Sequence, residues 1–177
     1  MTSGKPPHPG SANGLDGTRL APRPSRDAAY ETILLPLDGS ELSERAIPHA
    51  AALARTFGAR LLVLRVVAPL AGPGDLAFAS SPIYQSALEN EERDALTYAK
   101  DRAAEISLGG VRAEGICHLG EPAAAVIACA AEASAGLIVI ATHGRTGAAR
   151  WLFGSVAARV LQGATVPVLV LRPDLAP

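Results

Sequence analysis

Residues Thr142 to Ser155 read "THGRTGAARWLFGS" and follow directly on the apolar run "GLIVIA". Gly144 and Gly147 let backbone approach a ligand without side-chain interference. Gly154-Ser155 stands where an apolar helix starts, and a helix start leaves several amide N–H groups unpaired at a positive dipole end. Such an end binds phosphate. Ser155 adds a hydroxyl that either caps the helix or contacts the anion, and Arg145 and Arg150 supply nearby charge. The connection is also longer than the roughly 2–6 residues that usually join a strand to a helix. A second chemical group is Asp38, which follows Pro36-Leu37 at the tip of the run "TILLPL". A carboxylate there either accepts hydrogen bonds from ribose hydroxyls or caps the helix beginning near Ser40 or Glu41.

The elements that must position these groups follow from the hydrophobic pattern. Apolar runs "TILLPL", "RLLVLRVV", "VRAEGICHL", "GLIVIA" and "VPVLVLR" read as five strands. Between them, "LSERAIPHAAALARTFG" has helical spacing and stops at Gly58, with a kink or late start predicted at Pro48. "APLAGPGDLAFASSPIY" reads as a loop, followed by a long polar helix from Ser86 to Ile106. "EPAAAVIACAAEAS" makes a third helix with Pro122 in its first turn, and Ser155–Gly163 belongs to a fourth. Strands alternating with helices predict an α/β fold, a three-layer α/β/α open parallel sheet. Right-handed crossovers leave a flavodoxin-like order beginning 2-1-3 or the order 3-2-1-4-5. In the second, strands one and four are neighbours whose following connections leave on opposite faces, and ligands bind at that split. "LDGSE" and "THGRTG" would meet there.

The chain's 177 residues suit one domain, predicted over 30–174. Residues 1–29 are rich in Pro, Gly and Ser without periodicity and read as a disordered leader. At 49% hydrophobic but 4% aromatic, the core must be aliphatic, which suits a helix-covered parallel sheet. A net charge of -1 provides no global field for nucleic acid or an acidic membrane. No apolar stretch approaches membrane-spanning length and no signal-peptide core is present, so the expected location is the cytoplasm. Cys117 and Cys129 form no CxxC pair, and His8, His49, His118 and His143 share no metal-ligand spacing, so no metal site is expected. His118, at the end of strand three, reads as a surface or core-edge residue.

With these residues in place, the chain resembles the universal stress protein family over roughly Glu31 to Pro173. The resemblance rests on "ILLPLDGSELSERAIPHAAALARTFGARLLVLRVV" and "LIVIATHGRTGAARWLFGSVAARVLQGATVPVLVLRP". It implies an adenine nucleotide alpha hydrolase-like fold of order 3-2-1-4-5. The family's ATP-binding branch carries Gly, two residues, Gly, nine residues, then Gly and Ser or Thr. Here the second Gly is Gly144, the spacer Arg145 to Phe153 and the closing pair Gly154-Ser155, with Ala141 in place of the first Gly. Strand dihedrals at Ala141 would make its methyl cheap, whereas a left-handed backbone would cost roughly 1–2 kcal/mol.

The resemblance further implies an ATP site, with Mg2+ accompanying the nucleotide. Pro36, Leu37 and Asp38 would line the adenosine, with the Asp on the ribose, and Leu61 would pack on adenine. Ala141, His143 and Gly144 would border ribose and phosphates, and Gly154, Ser155, Val156 and Ala157 would hold the phosphate end. The implied activity is nucleotide-dependent regulation of a stress response through an unidentified regulatory protein partner. Two alternatives are a non-nucleotide interaction module and a very slow ATPase or self-phosphorylating protein using Ser155 or a nearby hydroxyl.

Other α/β families fit poorly. Receiver domains need a phospho-accepting Asp after strand three, where this chain has "CHLGE". Rossmann dehydrogenases need GxGxxG after strand one, where it has "LDGSEL", and the Ser-Gly-Gly loop of related pyrophosphatases is missing too. No nucleophile with an attendant base is evident, so an enzyme is not expected. The last strand, Val166–Arg172, is apolar on both faces, and an open edge of that kind predicts a two-fold homodimer pairing these strands antiparallel, as the family resemblance also implies.

Overall fold

The computed structural model describes Met1 and residues 30–70, 76–142 and 154–172. The leader, and with it His143, Gly144, Arg145, Gly147 and Arg150, lies outside the described residues. Five parallel strands form one sheet in the order β3-β2-β1-β4-β5. These are β1 (Thr32–Leu37), β2 (Arg60–Val67), β3 (Arg112–Leu119), β4 (Leu137–Ala141) and β5 (Val168–Leu171). The helices are α1 (Glu41–Glu44), α2 (Ile47–Phe57), α3 (Leu76–Ala79), α4 (Pro82–Leu108), α5 (Pro122–Glu132) and α6 (Ser155–Gly163).

Alternation along β1 sorts the core into two layers, because successive side chains leave a strand on opposite faces. Ile33, Leu35 and Leu37 join Leu61, Val63 and Val139 beneath α2 and α4. Leu34 joins Leu62, Leu64 and Ile138 beneath α5 and α6, through Val126, Cys129 and Val160. Both faces are therefore covered, which is why β1 from Ile33 onward and all of β4 are apolar rather than alternating.

Helix boundaries follow local chemistry. The first helical pattern splits, and Pro48 enters α2 at its start, where a missing N–H goes unnoticed. Gly58 closes α2 in the left-handed conformation, φ 65°. The expected loop before the long helix needs correction, since it contains α3 and α4 begins at Pro82 rather than Ser86. Ser81 caps α4 by accepting the Tyr84 N–H at 3.3 Å, with Pro82 in the first turn. Ser81-Pro82 is thus a helix start inside the stretch expected to be a loop. The last strand is shorter than expected, and Pro167 just before it still accepts the Ile138 N–H at 3.0 Å.

Candidate functional site

A cavity of about 310 Å³ opens beyond the carboxyl ends of β1, β2 and β4. β1 and β4 are adjacent, and the chain leaves β1 for the face of α1 and α2 but leaves β4 for the face of α6. The cavity occupies that split, the usual ligand position in open α/β sheets.

Pro36, Leu37 and Asp38 form one wall at the tip of β1. Gly39, at φ 82°, turns the chain sharply after Asp38, a conformation that glycine adopts without strain. The Asp38 Oδ1 accepts the Ser40 N–H at 2.9 Å, and Ser40 Oγ in turn accepts the Ser43 N–H at 3.1 Å. Ser40, not Asp38, is therefore the cap of α1. Burial pushes the Asp38 carboxyl upward. Hydrogen bonds from Ser40 and Ser43, with the positive charge of Arg65, outweigh that effect and hold it below the usual carboxylate value. Asp38 is thus an exposed anion with hydrogen-bonding capacity to spare.

The opposite wall begins at Ala141 and Thr142 and continues at Gly154, Ser155, Val156 and Ala157. Thr142, only 3% exposed, accepts the Gly154 N–H on its Oγ1 at 2.7 Å. The end of β4 and the start of α6 are thereby clasped together beside the cavity. The helix's first internal bond runs from the Ala158 N–H to the Gly154 carbonyl. The amides of Ser155, Val156 and Ala157 precede that ladder. Among the described residues no side chain caps α6, whose N-cap is Gly154, so the hydroxyl of Ser155 is not used as the helix cap. Ala141 is a strand residue registered with Leu171, and Ser134 is the one non-glycine with positive φ among the described residues. The methyl at Ala141 therefore carries no backbone strain.

Leu61 must be corrected. It is fully buried within the layer under α2 and α4, registered with Ile33, and does not line the cavity. Strand two contributes Arg65 and Val66 instead, at its other end. Arg65 was visible as a charge inside "RLLVLRVV", near the strand end where ligands bind. Pro122 and Val126 of α5 complete the apolar floor, and Ser43 and Leu42 approach from α1.

The profile of the universal stress protein family matches residues 29–172. The chain belongs to the universal stress protein family. Among relatives, it is 36% identical over 143 residues to universal stress protein MJ0531 of Methanocaldococcus jannaschii, covering 81% of this chain and 82% of that protein. A universal stress protein solved in complex with cAMP is 30% identical, with a TM-score of 0.56, covering 82% of this chain and 98% of that one. A universal stress protein of Archaeoglobus fulgidus solved in complex with dAMP is 27% identical, with a TM-score of 0.54, covering 81% and 99%. The family thus has members that hold adenine nucleotides. Among the described residues, no helix of this universal stress protein is long and apolar enough to cross a membrane.

Proposed function

We propose that this universal stress protein binds ATP between β1 and α6 and serves as a nucleotide-dependent stress regulator. The observation that carries the reading is the Asp38 carboxylate facing, across one cavity, the amide-rich start of α6 held by the Thr142–Gly154 clasp. The cavity volume falls within the range of small-molecule sites, at its lower end. A nucleoside with its first phosphate fits such a space, and the cavity's open side leaves room for the remaining phosphates and their Mg2+. Asp38 would accept the ribose hydroxyls, Pro36, Leu37 and Val66 would flank the base, and the α6 amides would hold phosphate oxygens. Arg65 adds positive charge near Asp38.

Calorimetric titration with ATP and Mg2+ tests this. A dissociation constant in the micromolar range, about 8 kcal/mol, is expected. Asp38→Ala should weaken it about tenfold, the loss of a charge-assisted hydrogen bond. No heat at millimolar ATP would refute the reading.

Ala141→Gly gives a smaller effect. With no strain to relieve, ATP affinity should stay within about twofold, while stability drops by about 0.5–1 kcal/mol as strand flexibility rises. A clear loss of affinity in that variant would show that the methyl is a binding contact.

The regulatory role supposes that occupancy changes partner choice, with hydrolysis slow or dependent on another protein. Pairing of β5 edges in a homodimer belongs to the same proposal. β5 is an edge strand of four apolar, half-buried residues, "VLVL", whereas the opposite edge strand, β3, carries Arg112 and Glu114. Charged edges discourage pairing and apolar ones invite it. The cytoplasm is the proposed location.

A further inference from the structure

Away from the nucleotide cavity, three different metal-binding side chains converge from near the end of β3 and the last turn of α5. They are His118, Cys129 and Glu132, whose ligand atoms all lie within 4.8 Å of one another. Cys129 and Glu132 sit one helical turn apart, a spacing that puts both on one face of α5. His118 reaches them from the neighbouring strand.

Two further observations point to a ligand. The His118 Nδ1 lies 2.9 Å from the Leu119 carbonyl oxygen, which can only accept. In the neutral ring the proton therefore resides on Nδ1, and Nε2 keeps its lone pair. Metal-binding histidines are commonly oriented in this way, by a backbone carbonyl on the second nitrogen. Glu132, in turn, has no hydrogen-bond or ion-pair partner among the described residues. It stands beside the buried Cys129 thiol.

We propose that His118, Cys129 and Glu132 bind a borderline divalent transition metal, with Zn2+ the best match. One nitrogen, one sulfur and one oxygen donor suit Zn2+, whose bonds to them run about 2.0–2.3 Å in a tetrahedral arrangement. The thiolate disfavours Mg2+ and Ca2+, which take oxygen ligands. Closing the cluster onto one ion needs movements on the order of 1 Å, available to the exposed Glu132 side chain. Binding releases the Cys129 proton, because the thiolate is the ligand. Three protein ligands leave the fourth position to water. The ion fastens the end of β3 to α5, the helix whose Pro122 and Val126 floor the nucleotide cavity. Linear spacing hides the site, since His118 and Cys129 meet only through the turn from β3 into α5.

Cobalt(II) titration of the untagged, chelator-stripped full chain tests the proposal, because cobalt reports its ligands optically. About one equivalent should produce a near-ultraviolet thiolate charge-transfer band with the strong visible absorption of a four-coordinate ion, and Zn2+ should bleach both. Cys129→Ser should abolish the charge-transfer band and Cys117→Ser should retain it. Cys129 is buried, so its replacement risks the fold. Glu132→Gln and His118→Gln therefore provide a second readout, each weakening cobalt at least about tenfold. Absence of the thiolate band at millimolar cobalt, its loss in Cys117→Ser, or unchanged affinity in both Gln variants would overturn the proposal.

Discussion

Gly115→Ala is expected to destabilise this protein by about 3 kcal/mol, the upper end of the usual cost of overfilling a packed core. Gly115 is buried in β3, registered with Val63 on β2. A Cβ built there would lie 2.3 Å from the Ala99 carbonyl carbon and 2.3 Å from the Lys100 nitrogen. Both atoms belong to the backbone of α4, which cannot rotate out of the way. The closeness follows from sequence, because α4 turns a stripe of small residues, Ala95, Ala99 and Ala103, toward the sheet. Small side chains on the helix and none on the strand let the two backbones nearly touch. One added methyl must push a 27-residue helix off the sheet, which loosens contacts along its length. Gly163 provides the control. A Cβ there would meet Ile127 Cδ1 at 2.7 Å, the far end of a flexible side chain that can change rotamer. Gly163→Ala should therefore cost under about 1 kcal/mol. Urea denaturation of both variants decides it, through the midpoint at unchanged slope. Equal effects would mean that α4 yields as easily as a side chain.

This contact shows where sequence reading stops. "VRAEGICHL" was legible as a strand, and "EERDALTYAKDRAAEI" as a helix with a solvated face. That Gly115 needs to be glycine was not, because the demand comes from Ala99 and Lys100 on another element. The site divides in the same way. Asp38 and the Gly154-Ser155 helix start announce themselves, the first ending an apolar run and the second opening an apolar helix, each with a residue type suited to ribose or phosphate. Arg65, Val66, Pro122 and Val126 reach the same cavity from β2 and α5, and nothing local distinguishes them from ordinary strand and helix residues. Leu61 shows the converse error. A long strand has two ends, and Leu61 stands at the head of β2, whereas the cavity opens at the other end beside Arg65 and Val66. Strand order was only half legible: the hydrophobic pattern left two orders open, and the family resemblance implied the order β3-β2-β1-β4-β5 that the sheet has.

Gly154→Val should weaken ATP about 100-fold, or about 2.7 kcal/mol, while leaving the fold in place. Gly154 has φ -54° and ψ 149°, extended dihedrals that valine adopts readily, so no backbone strain arises. Its Cβ would approach Thr142 Oγ1 to 3.3 Å, a tight contact that a small shift of the hydroxyl relieves. Disturbing the 2.7 Å bond between the Gly154 N–H and Thr142 Oγ1 costs about 1 kcal/mol of stability. The larger consequence falls on the ligand. Two branched methyls stand on the cavity wall in front of the Ser155, Val156 and Ala157 amides. A phosphate held back from those amides loses charge-assisted hydrogen bonds of about 1.5–3 kcal/mol each. Adenosine separates this from general damage, since it lacks phosphates and its weaker binding should change no more than about twofold. Calorimetry with both ligands, alongside urea denaturation of the variant, gives the comparison. If ATP affinity survives the valine, the phosphates do not approach α6. If adenosine falls equally, Gly154 shapes the whole cavity rather than its phosphate end, and the assignment of the α6 amides to phosphate is wrong.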